Sequence, residues 1–170
     1  MWDLLRRFRA LEPSARALFL RAAALLPFIS LSLRLRGFRA TQTSLENRLP
    51  KGLWMLSDRS SGTQAESAAL TARMVRSAAY RTWGAPACLE QSLALWWLLA
   101  RQGIASSVRI GARKTVQKFE AHAWVECDGV ALNEPEEEQK HYTAFDQGFP
   151  ILGGVKKSGQ HRSAQSAKGG

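Results

Sequence analysis

The sequence predicts an α+β domain, and three observations carry that prediction. Apolar residues recur at helical spacing in three segments before residue 103, strict two-residue alternation sets in at residue 119, and an Asp-Gly pair at 128–129 punctuates it. Helices followed by a hairpin-linked antiparallel ribbon make an α+β order. The 170 residues are 45% apolar and 22% charged, which is enough to bury a core within one domain of ordinary size. Two cysteines, Cys88 and Cys127, cannot staple a chain of this length, so a reducing cytoplasmic setting is expected.

From Ser14 to Arg36 the chain reads SARALFLRAAALLPFISLSLRLR, opened by Pro13 and closed by Gly37, where helices tolerate proline and often end. The stretch predicts one or two helices, with a kink or split at Pro27, which removes a backbone donor and crowds the preceding turn. Arg21 and Pro27 interrupt the run of about 20 apolar residues that a membrane span requires, and no small-residue cleavage site follows to make it a secretory signal. The reading is an amphipathic helical subdomain, residues 1–39, that packs on the core. Contact with a membrane surface through its arginines is the second reading.

Residues 40–62 hold no sustained period and contain Pro50 and Gly52, so they predict a connector anchored by Leu53, Trp54 and Met55. Thr63 and Glu66 have capping-box spacing, and Leu70, Met74 and Ala78 recur at helical intervals, predicting a helix from about 64 to 82. After Gly84 the segment APACLEQSLALWWLLARQG predicts a strongly apolar helix stopped at Gly103. Cys88 falls in its first turn. Unpaired N–H groups and the positive end of the helix dipole favour a thiolate there and can stabilise an oxyanion.

Residues 104–111 and 119–126 predict two strands, the second placing Glu120, His122, Trp124 and Glu126 on one face. Asp128-Gly129 turns the chain into a further strand over 130–134. The loop length fixes the neighbour of His122. A three-residue loop including Cys127 sets Glu134 opposite it, whereas a two-residue loop makes Asn133 its same-face diagonal neighbour. The apolar pairing of Val125 with Leu132 favours the second register, and the spacing admits both. The core thus spans 63–153, and the Gly, Ser and Lys-rich tail 154–170 is expected to be disordered.

Charge is unevenly placed. The net charge is +10, but residues 1–60 carry 11 basic and 4 acidic groups, residues 61–146 carry 9 and 10, and residues 147–170 carry 4 basic groups. A nearly neutral core without a reading motif or an aromatic-interleaved basic stripe argues against nucleic-acid binding. No CxxC or HxxxH spacing points to a metal, and GARK at 111–114 lacks phosphate-loop spacing, so no cofactor is expected.

A helix-start cysteine, a strand histidine and a polar residue on the adjoining strand follow the order of papain-like and transglutaminase-like enzymes. The segments CLEQSLALWWLLARQGI, VRIGARK and FEAHAWVECDGVALNE resemble the stand-alone leader peptidases of lasso-peptide biosynthesis, a transglutaminase-like family related to the maturation protease of microcin J25. The basic start LEPSARALFLRAAALLP is similar more loosely, so that the likeness covers roughly residues 10–146.

The resemblance implies a transglutaminase-like core in which Cys88 is the nucleophile, His122 the general base and acid, and Glu134 the third member. The family commonly has Asp at that third place, whereas here Glu134 is preceded by Asn133, the alternative orienter. It further implies a peptidase that removes the leader from a ribosomally made precursor before a separate asparagine-synthetase-like cyclase closes the ring. No module of about 80 residues precedes the core, so a separate leader-binding protein is expected to present the precursor. The protein is expected in the cytoplasm, with a peripheral place at the inner membrane allowed by its basic helices. Transglutaminase-like acyl transfer, or non-enzymatic binding of membrane or nucleic acid, are the competing functions.

Overall fold

Proline is tolerated in the first helical turn because its missing N–H has no intrahelical partner there, and Pro13 opens helix α1 (Pro13–Glu46) accordingly. The computed structural model describes residues 6, 8–50, 61–82, 86–114, 119–133, 143–144 and 149–150. The expected tail 154–170 and the anchors Leu53, Trp54 and Met55 lie outside them.

The break in α1 is not at Pro27. Pro27 sits on the exposed side of a helix that continues through it, and the non-helical residue is Gly37, at φ 76° and ψ 178°. Those angles are open essentially to glycine alone. Thr41 Oγ1 braces the bend, lying 2.8 Å from the Gly37 carbonyl oxygen and 2.9 Å from Ser32 Oγ. Helix resumes beyond Gly37 and reaches Glu46, so residues 40–46, expected to open a connector, are helical instead. The boundary expected at residue 39 falls inside α1, whose Ala22, Leu26, Ile29 and Leu45 join the same core as the later elements.

Helix α2 (Ser61–Ala79) starts about three residues before its expected position, which leaves Thr63 inside the helix and not at its cap. It closes through tightened turns, Arg81 N–H to Ala78 C=O at 3.0 Å and Thr82 N–H to Ala79 C=O at 3.2 Å. Ala68, Ala72, Val75 and Ala79 recur on one face and are buried.

Helix α3 (Cys88–Ala100) is apolar almost all round, as a central helix must be, and packs on α1, α2 and the sheet. Leu95, Trp96, Leu98 and Leu99 are fully buried, and Trp97 Nε1–H donates to Leu45 C=O at 3.0 Å, fixing the end of α1 to α3. The helix stops where expected: Gly103 takes φ 74° and Ile104 N–H returns to Leu99 C=O at 3.0 Å.

The sheet is antiparallel, in the order β3-β2-β1-β4 with β5 also paired to β1. Its long members are β1 (Ser107–Lys114) and β2 (Phe119–Cys127), paired throughout with Gly111 opposite His122. Short strands β3 (Val130–Ala131), β4 (Thr143–Ala144) and β5 (Phe149–Pro150) complete it. β1 begins three residues later than expected, because Ile104 is still bonded to the helix end.

The hairpin between β2 and β3 has the two-residue loop. Asp128 and Gly129 take φ 50° and 81°, the two positive angles of a type I′ turn, and Cys127 pairs with Val130 and Glu126 with Ala131. Cys127 is therefore the last strand residue and not part of the turn. The strand expected over 130–134 ends at Ala131.

Candidate active site

A cysteine at a helix start already gains from the free N–H groups there, and a base within reach makes it a stronger candidate nucleophile. The chain supplies one: β2 packs on α3 and sets the His122 imidazole beside the Cys88 thiol. The backbone of Ala123 and of Leu89 lies close enough to the same sulfur to favour its thiolate. The Cys88 pKa is held below the ordinary thiol value, first by the His122 hydrogen bond. Partial burial opposes this, and the Ala123 N–H, the imidazole charge and the Leu89 N–H add to it. Glu90, in the first turn of α3, turns back to accept the Ala87 N–H and so closes the helix start from its own sequence.

His122 is steadied on its strand face. Its ring stacks with that of Trp124, 6.3 Å between centroids at 16°. Trp124 in turn donates its indole N–H to Glu126 at 3.0 Å, and Glu126 accepts from Arg109 Nε at 2.7 Å. Opposite His122, Gly111 brings no side chain against the imidazole.

Asn133, expected beside His122, is engaged elsewhere at both ends of its amide. Oδ1 accepts the Val125 N–H at 2.8 Å, and Nδ2 donates to Ser92 Oγ at 3.1 Å. Ser92 is fully buried on α3 and donates to Ala123 C=O at 2.9 Å. These bonds clamp β2 to α3 just beyond the histidine, at Ala123 and Val125. Ser92 belongs to no motif in the sequence; its signal is the one hydroxyl of the helix, four residues after the cysteine and followed by an apolar run. Glu134 lies outside the described residues.

Cys127 is different in kind. It is buried at the end of β2, its thiol donates to Ala105 C=O at 3.3 Å, and burial, with the Asp128 charge second, raises its pKa. A thiol so placed stays protonated and serves packing. A cleft of about 330 Å³, lined by Arg76, Tyr80, Pro86, Gln91 and Asn133 among others, opens next to the residues that lead into α3. Among the described residues no three His, Cys, Asp or Glu side chains converge as a metal site.

A thiol with depressed pKa at a helix start and an imidazole beside it together suit attack on an acyl carbon. The family model of the transglutaminase-like superfamily matches residues 29–145. The chain belongs to the transglutaminase-like superfamily. Its members are typically enzymes, cysteine peptidases or acyl transferases. The matched region begins within α1 and takes in α2, α3 and the sheet as far as β4, an α+β arrangement. No curated protein and no solved structure matches the chain.

Proposed function

We propose that this transglutaminase-like protein is a cysteine peptidase that removes the leader from a lasso-peptide precursor in the cytoplasm. The observation that carries the reading is the His122 imidazole set beside the Cys88 thiol at the first residue of α3, where it holds the thiol pKa down, with the Ala123 and Leu89 backbone adding to the effect. The resemblance of the surrounding segments to lasso leader peptidases supplies the substrate.

In the reaction proposed, the Cys88 sulfur attacks the scissile carbonyl carbon and the S–C bond forms as the oxygen takes up charge. N–H groups at the helix start hold that oxyanion. The imidazolium of His122 gives its proton to the departing amine as the C–N bond breaks, leaving a thioester. Water then loses a proton to His122 and attacks the thioester, which releases the leader carboxylate and restores the thiolate. Glu134 orients the imidazole, since both ends of the Asn133 amide are taken by Val125 and Ser92. A separate leader-binding protein presents the precursor, and an asparagine-synthetase-like cyclase takes the freed core peptide.

The test is mass spectrometry of a lasso-peptide precursor incubated with the full chain and a separate leader-binding protein. Wild type and Cys127→Ala release the leader, and Cys88→Ala and His122→Ala do not. Cleavage by Cys88→Ala overturns the reading. Incorporation of an added amine in place of hydrolysis assigns acyl transfer instead, since one thioester serves both outcomes.

A further inference from the structure

One face of α1 is spent on the core, through Ala22, Leu26 and Ile29, all fully buried. The opposite face is exposed and also apolar. Leu20 is 56% exposed, Phe28 39%, Leu31 57% and Leu35 73%, and Ala24 and Pro27 lie exposed among them. At about 100° per residue these six positions share one side of the helix, an unbroken stripe some four turns long. Soluble surfaces scatter such residues singly.

The borders of the stripe are basic. Arg16 and Arg34 fall along one edge and Arg21 along the other, and from Pro13 to Leu45 the chain contains no Asp or Glu. Beyond the kink, Arg36, Arg39 and Arg48 line a shallow cavity of about 690 Å³. The Arg48 guanidinium reaches back over the Phe28 ring, 5.2 Å from its centre, so cavity and stripe form one surface.

We propose that this face of α1 seats the protein on an anionic lipid bilayer, the helix lying in the plane of the interface. The uniform charge of the borders decides the occupant. Arginines on both flanks of an apolar stripe carry their charge to the phosphate level while the leucines enter the acyl boundary. A protein groove would meet the same stripe with acidic and polar partners, yet α1 offers no acidic group of its own along these borders for reciprocal pairing. By length and composition α1 is also able to cross a membrane. A span would draw Leu26 and Ile29 out of the core and break the Trp97 bond to Leu45, whereas the in-plane placement leaves the fold intact. The inference does not depend on the peptidase reading.

The experiment is flotation of the full chain with phosphatidylcholine vesicles, with and without phosphatidylglycerol. Wild type floats with the anionic vesicles and much less with the neutral ones. Leu31→Ser with Leu35→Ser weakens binding by on the order of tenfold or more, and Arg16→Ser with Arg34→Ser weakens it several-fold and flattens its salt dependence. All four side chains are on the outer face, so both variants keep the wild-type circular dichroism. The proposal fails if wild type does not float with anionic vesicles at low salt. It fails equally if the leucine variant floats as wild type does, which would assign binding to other basic segments. Loss of a wild-type dimer in that variant, without vesicle binding by wild type, would make a second copy of the chain the occupant.

Discussion

Asn133 Oδ1 accepts the Val125 N–H at 2.8 Å, a bond that a continuing β3 would make with a backbone carbonyl. Leu132 N–H still returns to Val125 C=O at 2.9 Å, so the ladder is completed on one side by backbone and on the other by a side chain. The Asn133 amide then reaches Ser92 on α3, and Ser92 holds Ala123. Strand β2 is thereby pinned to α3 at Ala123 and Val125, one and three residues beyond His122, by a hydroxyl four residues after Cys88.

This arrangement makes Asn133 a positioning residue, and the asparagine-to-aspartate change tells it from an orienter of the imidazole. A carboxylate at 133 still accepts from Val125 but cannot donate to Ser92. Asn133→Asp and Asn133→Ala should each cost about 1–3 kcal/mol in urea unfolding, and both should raise the pH midpoint of Cys88 alkylation. An orienter would gain from the added charge; an Asn133→Asp protein with full activity and an unchanged midpoint removes the clamp.

Ser92→Ala tests the same clamp from the helix side. It leaves the buried Ala123 carbonyl and the Asn133 Nδ2 without their bonds, and a loss of about 1–3 kcal/mol is expected. Ser92→Thr keeps the hydroxyl and should recover part of it if the added methyl is accommodated. Equal stability of wild type and Ser92→Ala would show the hydroxyl to be idle.

The helix-start cysteine, the strand histidine and the Asp-Gly hairpin were legible because each rests on a local signal: an apolar helical run stopped at Gly103, alternation, and a turn demanding positive φ. Asn133 was not, because its role depends on where β3 ends and on a hydroxyl 41 residues earlier. Gly37 and Pro27 illustrate the same limit. A proline disfavours helix by a local rule, but on the exposed side its missing donor costs less than the core contacts of the continuing helix return. The second apolar face of α1 was hidden in the pattern, since leucine and alanine all round a helix do not show which side the rest of the chain covers.

Thiol chemistry should separate the two cysteines. Iodoacetamide at neutral pH modifies Cys88 well ahead of Cys127, since the first pKa is lowered by His122 and the second raised by burial. His122→Ala moves the Cys88 midpoint upward, because hydrogen bond and imidazole charge go while burial stays. Peptide mapping of the alkylated protein against pH reads both effects, and an unmoved midpoint in His122→Ala would take the imidazole away from the sulfur.

The same shifts set the pH dependence of stability, with opposite signs. Cys88 is depressed in the folded state, so its contribution is present above the unfolded thiol pKa and fades as pH falls through the folded one. Cys127 is raised, so its contribution is full below the unfolded pKa and fades as pH climbs through the folded one. Relative to Cys88→Ala, wild type should therefore gain stability from neutral pH toward the ordinary thiol range, and relative to Cys127→Ala it should lose stability above that range. Urea midpoints across the alkaline range measure both differences, and parallel curves for the three proteins would mean neither thiol is perturbed.

Gly37 offers a test of the bend that aims the two halves of α1. A Cβ built there meets nothing within 4 Å, so any cost of substitution is conformational. At φ 76° and ψ 178° the residue lies outside the left-handed helical basin in which asparagine is tolerated. Gly37→Ala and Gly37→Asn should therefore destabilise alike, by about 1–3 kcal/mol, without the advantage asparagine enjoys at ordinary helix ends. The loss should reach the core, since the segment beyond the bend delivers Leu45 to Trp97. Equilibrium unfolding followed by tryptophan fluorescence measures it, and an asparagine variant as stable as wild type would place Gly37 in a different conformation from the one described.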